Sequence, residues 1–179
     1  VYIMYSSGTT GKPKCIVHGA GGTLLQHYKE LLLHADLHPN DKILFYTTCG
    51  WMMWNWLVSG LMSGAAIYLY DGNPVYPETG ILWNIAVKEK LTHLGISPKF
   101  LQLCKEKSFR LNNGDSLESL RTILSTGAPL PSESYHYIYD NIKQDVQISS
   151  ISGGTDIISC FMLGNPLSPV YPGELQGAG

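Results

Sequence analysis

Short apolar runs alternate with longer segments of helical periodicity along this chain. Such runs, bounded by Gly, Pro, Asn or Asp, are typical of strands buried on both faces of a parallel sheet. The predicted strands are Lys14–His18 and residues 42–47, 65–70, 92–96, 121–126 and 146–151, after a strand-like run at 1–4. The predicted helices are residues 23–35, 51–62, 78–91, 98–107 and 131–142. This alternation indicates βαβ units and therefore an α/β fold with a mostly parallel sheet, which binds ligands at the carboxyl ends of its strands.

Helical spacing also predicts which side chains face the core. In helix 23–35 the predicted buried stripe and the residues beside it are Leu24, Tyr28, Leu31, Ala35, Leu25 and Leu32. In helix 78–91 the predicted core residues are Ile81, Ile85 and Val87.

Residues 43–70 contain no charged side chain, and a transmembrane span has to be considered. The length and the aromatic residues toward both ends suit such a span. However, Gly50, Gly60 and Gly64 interrupt the stretch, and no Lys/Arg cluster flanks it. A strand, a helix and a second strand within a buried α/β core explain it better, so we predict no membrane span.

Composition excludes several classes of protein. Of the 179 residues 44% are hydrophobic, which is enough for a sizeable core, and 15% are charged, which is below the usual share of about 25%. The net charge of −2 and the absence of basic clusters argue against nucleic-acid binding. The four cysteines form no CxxC pair, so neither a disulfide framework nor a zinc module is expected. The first residue is Val1 and the last ones read as a loop, so we expect an internal part of a longer chain.

The strongest chemical signal is the segment 5–14, Tyr-Ser-Ser-Gly-Thr-Thr-Gly-Lys-Pro-Lys, which follows a predicted strand. Glycines let a backbone approach phosphate oxygens, while hydroxyls and lysines supply donors and charge. Only two residues separate Gly8 from Gly11, so the segment is not a Walker A loop. It resembles the phosphate-binding signature of the AMP-forming acyl-CoA synthetases, the adenylate-forming enzymes, with Cys15 in place of the usual final glycine.

Three further segments resemble this family in the same order. They are residues 50–56 with 64–66, similar to the acyl-pocket segment; 125–130, similar to the loop beside adenine; and 153–156, Gly-Gly-Thr-Asp, similar to the loop near the α-phosphate. Residues 15–19, 51–56 and 152–157 are most similar to the acetoacetate-activating members. The resemblance implies the large N-terminal domain of these enzymes, with ATP, Mg²⁺ and coenzyme A as ligands.

The resemblance also implies roles for individual residues. The β- and γ-phosphates would be held by Ser6, Ser7, Gly8, Thr9, Thr10 and Gly11, with Lys14 as a point charge. The adenine side would be formed by Gly127, Ala128 and Pro129, with Ser152, Gly153 and Gly154 completing the nucleotide site. Thr155 would donate to the α-phosphate and Asp156 would hold Mg²⁺. Two departures are noted: Asp156 stands where the family has Glu, and Ser152 replaces a stacking aromatic residue.

The expected acyl pocket consists of Trp51, Met52, Met53, Asn55 and Gly153. Relatives that activate acetate have Trp at the position of Gly153, so glycine there implies room for a longer acid, such as a four-carbon keto acid. Asn55 or Trp51 would donate a hydrogen bond to the 3-keto oxygen, although packing roles for both remain the alternative.

The expected function is therefore ATP-dependent activation of a short acid to its adenylate and then to its CoA thioester. The resemblance implies a cytosolic enzyme of lipid metabolism and ketone-body use, with small-molecule partners. Two alternatives stay open: another short-chain acid, or a truncated nucleotide-binding chain without turnover. The family's small C-terminal domain, with its catalytic lysine, and its ribose-binding aspartate and arginine are expected beyond residue 179, so residues 1–179 alone are expected to be inactive.

Overall fold

A five-stranded parallel sheet forms the centre of the molecule. The structure is a computed structural model that describes residues 2–6, 11–112 and 114–179. The strands lie in the order β4-β3-β5-β6-β7. They are β3 (Lys42–Phe45), β4 (Ala66–Tyr68), β5 (His93–Ile96), β6 (Thr122–Ser125) and β7 (Gln147–Ser150), each inside or at the bounds expected from the sequence. The predicted α/β fold is confirmed.

Helices connect these strands and cover both faces of the sheet. They are α1 (Ala20–Lys29) continued by a π turn (Glu30–His34), α2 (Met52–Ser59) continued by a 3₁₀ turn (Gly60–Ser63), α3 (Ile81–Glu89), α4 (Pro98–Glu106) and α5 (Ser132–Asn141). Helix α4 begins where the Ser97 side chain accepts from the Phe100 N–H and Pro98 occupies the first turn.

The core is divided by the sheet into two layers. Leu44 and Ile123 pack on one face with α3, α4 and α5. Ile43 and Leu124 face the other layer with α2 and the π turn. Adjacent residues point to opposite faces because strand side chains alternate. Both faces of the sheet are covered, so a strand such as β3 buries consecutive apolar residues, whereas β6 and β7 also bury Thr and Ser.

Two smaller antiparallel sheets flank the central one. Strands β1 (Tyr2–Ser6) and β2 (Lys14–His18) form a hairpin. Strands β8 (Ser152–Gly154), β9 (Ser159–Leu163) and β10 (Gly177–Ala178) form the other sheet in the order β10-β9-β8. Because β8 follows β7 after one residue, it leads the chain away from the carboxyl edge of the central sheet.

The predicted buried faces of two helices are only partly confirmed: Leu31 and Ala35 are buried as predicted, whereas other predicted positions are not. In α1, Leu24, Leu25 and Tyr28 are exposed, whereas the polar His27 and the adjoining Glu30 are completely buried. The physical reason is that both polar side chains have hydrogen-bond partners far away in the chain. His27 contacts Ser59 of α2 and the Ile158 carbonyl, and Glu30 accepts from α2 and β9, which spacing in the sequence does not reveal. In α3 the buried side chains are Leu82, Trp83 and Ala86, one position away from the predicted set, in which Ile81, Ile85 and Val87 are only partly buried.

Across residues 2–6, 11–112 and 114–179, no helix is long and apolar enough to cross a bilayer. The uncharged stretch instead forms β3, α2 and β4, as the strand–helix–strand interpretation predicts.

Two buried histidines give the fold an expected pH dependence. Burial lowers the pKa of His27 and His93 from 6.5, outweighing a backbone hydrogen bond at each ring. The unfolded chain therefore binds more protons than the native one as the pH falls below 6.5. We expect the free energy of unfolding to be highest above this pH and to decrease on acidification until the native histidines also protonate. Urea unfolding on both sides of pH 6.5 measures this, and His93→Phe should reduce the slope; equal stability at all these pH values would contradict the prediction.

Candidate active site

A cavity of about 880 Å³ opens at the carboxyl edge of the parallel sheet. Its walls come from the ends of β3, β5, β6 and β7, from the start of α2, and from β1 and β8. Parallel sheets bind ligands at this edge because loops from several strands converge there.

Three segments with predicted roles meet in this cavity. The predicted residues that line it are Trp51, Met52, Met53, Asn55, Gly127, Gly153, Gly154 and Thr155. Among the described residues, those predicted for the site but outside the cavity lining are Ser6, Gly11, Lys14, Ala128, Pro129, Ser152 and Asp156. The predicted phosphate-binding residues Ser7, Gly8, Thr9 and Thr10 lie outside the described residues. The structure thus joins the predicted acyl-pocket segment with parts of the predicted nucleotide loops.

Several lining residues were missed in the sequence. They are Tyr46, Thr47, Thr48, Cys49, Ser97 and Thr126. Each follows the carboxyl end of β3, β5 or β6 within a few positions. Their position just after a strand could have identified them, because the edge of a parallel sheet that binds ligands is known once its strands are assigned.

The predicted phosphate-binding motif begins where β1 ends, at Ser6, and finishes where β2 begins, at Lys14. Ser6 pairs directly with Lys14, so the two ends of the motif are held side by side. Gly11 has φ +125°, a conformation that disfavours any other residue. The hairpin therefore keeps a hydroxyl and an ammonium group next to the segment that connects them.

The Thr155–Asp156 pair begins a tight turn over residues 155–158. The Ile158 N–H donates to the Thr155 carbonyl at 3.2 Å. The Thr155 carbonyl also accepts from His18 Nε2 at 3.0 Å, and the Ile158 carbonyl accepts from His27 Nε2 at 2.5 Å. Asp156 is exposed, while Thr155 is half-buried at the cavity.

Gly153 lies against the backbone of the neighbouring strand. A β-carbon placed on it would be 2.2 Å from the Ser159 carbonyl oxygen and 2.8 Å from the Cys160 α-carbon. Glycine is thus required by the close approach of β8 and β9. The interpretation of Gly153 as simple room for a longer acid needs correction, because a side chain there would first displace its own sheet.

The predicted acyl-pocket residues differ in exposure. Trp51 is 66% exposed at the cavity, whereas Met53 is buried beneath it. Asn55 is half-buried, and its Nδ2 donates to the Met4 sulfur at 3.1 Å. The Asn55 amide has a second N–H besides the one that contacts Met4, so Asn55 and the exposed Trp51 are both candidates to donate to a ligand carbonyl.

The buried side chain of Glu30 makes several hydrogen bonds close to this region. Glu30 accepts from Trp56 Nε1 at 2.8 Å, from the Cys160 N–H at 3.1 Å and from the Ser159 hydroxyl. Gln26 Nε2 adds a fourth donor at 2.9 Å. One side chain therefore joins the end of α1 to α2 and to the start of β9, next to the 155–158 turn.

A second cavity, of about 330 Å³, lies between α4 and α5, where Lys105, Arg110, Glu133 and Asp140 line it. None of the predicted site residues lines it. The larger cavity is therefore the candidate active site.

Comparison with known proteins identifies the family of the chain. The model of the AMP-binding enzyme family matches residues 1–176. The chain belongs to the AMP-binding enzyme family. Within this family it is 54% identical to an acetoacetyl-CoA synthetase of Gallus gallus and 47% identical to a malonamoyl-CoA synthetase of Penicillium aethiopicum, in both cases over 98% of the chain.

Solved structures give the same result for the fold. An acetoacetyl-CoA synthetase from Streptomyces lividans matches with a TM-score of 0.93 and 43% identity over 99% of the chain. The chain spans about a quarter of the length of the curated relatives and 28% of that structure. The AMP-binding chain described here is accordingly similar to one part of these larger proteins.

Proposed function

We propose that this chain is part of an acetoacetate–CoA ligase and forms the site in which ATP and acetoacetate react. The observation that carries the proposal is the single cavity shared by the 51–55 segment, Gly127 and the Gly153–Thr155 segment. The similarity to acetoacetyl-CoA synthetases over nearly the whole chain supports the choice of acid.

The first reaction step needs positioning more than a protein nucleophile. An oxygen of the acid attacks the α-phosphorus, the bond from phosphorus to pyrophosphate breaks, and the acyl-adenylate forms. Thr155 would donate to the α-phosphate, while Ser6, the segment 7–11 and Lys14 would hold the β- and γ-phosphates. Donors fixed before the reaction stabilise charge that develops on the phosphate oxygens.

The adenine would lie against Gly127, Ala128 and Pro129, with Ser152, Gly153 and Gly154 on the other side of the nucleotide. Thr126 is held in place because its hydroxyl donates to the Ile151 carbonyl at 2.9 Å, which joins these two loops. The two loops would thus be kept at a fixed separation around the base.

Asp156 would bind Mg²⁺, directly or through water, together with phosphate oxygens. A lone exposed carboxylate fits this role, since Mg²⁺ in nucleotide sites takes one or two carboxylates and completes its coordination with phosphates and water. The ion would neutralise charge on the leaving pyrophosphate.

The acid would occupy the part of the cavity lined by Trp51, Met52, Met53 and Asn55. The two methionines offer an adaptable apolar surface. Trp51 would donate to the 3-keto oxygen, with Asn55 as the alternative. The malonamoyl-CoA synthetase relative favours malonamate as a second candidate acid, because it too has a carbonyl group on carbon 3.

The second step, attack of the coenzyme A sulfur on the adenylate and release of AMP, would need the rest of a longer protein. We propose that residues 1–179 are a partial adenylation domain, without the small C-terminal domain, and are inactive alone in thioester formation. Exposed apolar side chains such as Ile3, Val17 and Leu25 fit contact with further parts of such a chain. A cytosolic location and a role in lipid and ketone-body metabolism are part of the proposal.

The test is acid-dependent ATP–pyrophosphate exchange by the full-length protein that contains this chain. Acetate, propionate, butyrate, malonamate and acetoacetate are compared in parallel. We expect the fastest exchange with acetoacetate. A preference for another acid would keep the adenylation chemistry and reject the substrate, and no exchange with any acid would leave only a nucleotide-binding chain.

Replacing Asp156 tests the proposed metal role. Asp156→Ala in the full-length protein should raise the Mg²⁺ concentration for half-maximal exchange by at least about tenfold, because a ligand is lost. Asp156→Glu, which restores the carboxylate, should recover most of the affinity. Asp145→Asn, at an exposed site before β7, is the matched control and should change nothing. An unchanged Mg²⁺ dependence in Asp156→Ala would remove Asp156 from the metal site.

A further inference from the structure

The internal contacts of the 155–158 turn do not by themselves account for its backbone conformation. Ile158 has φ +49°, which is unfavourable for a β-branched residue and persists only where surrounding contacts enforce it. One hydrogen bond, from the Ile158 N–H to the Thr155 carbonyl, closes the turn from within. Other parts of the molecule must therefore supply what keeps it in this conformation.

Two imidazole rings contact the turn at its two ends. His18 Nε2 lies 3.0 Å from the Thr155 carbonyl oxygen, and His27 Nε2 lies 2.5 Å from the Ile158 carbonyl oxygen. A carbonyl oxygen only accepts, so both Nε2 atoms carry the hydrogen. Each ring comes from more than 130 positions earlier in the chain, so these are tertiary contacts.

Each ring is itself anchored. His27 is completely buried, and its Nδ1 lies 2.8 Å from the Ser59 hydroxyl of α2, which fixes the ring plane. His18 is the last residue of β2, whose first residue is Lys14. The His18 contact thus connects the strand that follows the phosphate-binding motif to the turn that carries Thr155 and Asp156.

We propose that His18 and His27 are positioning residues for adenylation: their Nε2–H groups hold the carbonyls of Thr155 and Ile158 and so keep Thr155 and Asp156 aimed at the nucleotide phosphates. The inference rests on the proposed function for the roles of Thr155 and Asp156. The contacts themselves do not depend on that function, and this makes the two separately testable.

The experiment uses paired substitutions in the full-length protein. His18→Phe and His27→Phe keep a flat ring and remove the donor, whereas His18→Gln and His27→Gln retain an N–H near the position of Nε2. The matched control is His93→Phe: His93 is also completely buried, and its Nε2 donates to the Ala35 carbonyl at 2.7 Å, at the amino end of β5 and away from the cavity.

Four quantities are measured for each variant: kcat and KM for ATP in pyrophosphate exchange, the thermal unfolding midpoint, and amide hydrogen–deuterium exchange of the peptide covering residues 155–158. We expect the two Phe variants to lose about 10- to 100-fold in kcat, since small displacements of positioned groups have effects of this size. Their 155–158 amides should exchange faster, and the Gln variants should recover most of the kcat. His93→Phe should be less stable with kcat unchanged.

Two results would contradict these proposals. If His18→Phe and His27→Phe lower the unfolding midpoint but change kcat and amide exchange no more than His93→Phe, the positioning role is wrong. Should His27→Phe not fold, the partly exposed His18 still provides the test. If the unsubstituted protein shows no pyrophosphate exchange, the proposed function fails, and amide exchange alone then decides whether the two rings hold the turn.

Discussion

Glu30→Ala is expected to lower the free energy of unfolding by about 3–5 kcal/mol, the largest stability effect that we predict. The substitution removes the acceptor of the Trp56 indole N–H, the Cys160 N–H and the Ser159 hydroxyl, which are then buried without partners. It also leaves a cavity at a completely buried position. Urea unfolding of the variant and the unsubstituted chain measures the difference.

Glu30→Gln is the matched control because it keeps the shape and one acceptor oxygen. Its amide can still accept from β9, but its NH₂ group then faces the Trp56 donor, so an intermediate loss is expected. We expect the free energy of unfolding to decrease in the order unsubstituted chain, Glu30→Gln, Glu30→Ala, and this order tests the hydrogen bonds separately from packing. A loss within about 0.5 kcal/mol for Glu30→Ala, typical of surface positions, would show that the buried network contributes little.

Gly153→Ala is expected to destabilise the chain by about 1–3 kcal/mol and to impair adenylation in the full-length protein. The new β-carbon would meet the Ser159 carbonyl oxygen at 2.2 Å, so β8 and β9 must separate. The displaced strand leads directly into Thr155. Unfolding free energy and pyrophosphate exchange are both measured.

Gly154→Ala provides the comparison, because a β-carbon there meets no atom of the described residues within 4 Å and the residue is in the same strand. It should change stability by no more than about 0.5 kcal/mol. Equal effects of the two substitutions would contradict the close-approach explanation. The pair also shows why Gly153→Trp is an unsuitable test of pocket size, since it would combine a bulky side chain with a displaced sheet.

The sequence predicted where the strands and helices lie better than it predicted which side of each helix is buried. Strand β3 was located because its buried residues Ile43, Leu44 and Phe45 form an uninterrupted apolar run, as expected for a strand covered on both faces. The buried side of α1 was mispredicted because His27 and Glu30 are polar, and polarity normally marks an exposed face. Their burial is stable only through partners far away in the chain, such as Trp56 and Ile158.

In the candidate site, too, the sequence identified some residues and missed others. Motif resemblance identified Trp51, Gly127 and Thr155 separately, and all three line the cavity. Ser97 and Tyr46 were missed because neither belongs to a motif; they matter only through their position after a strand. The role of Gly153 was misread because an absent side chain looks like empty space until the neighbouring backbone is known.

By itself the sequence determined the α/β class, the order of the helices and of the strands up to β7, and the family resemblance, because these depend on local apolar runs and contiguous motifs; it did not predict β8, β9 or β10. Only the tertiary structure decided which loops share a cavity, which polar groups are buried and which residues hold the 155–158 turn. The physical reason is that hydrogen-bond satisfaction and close approach are properties of pairs of residues. When the two partners lie more than 100 positions apart, as His18 and Thr155 do, neither segment alone carries a signal of the other.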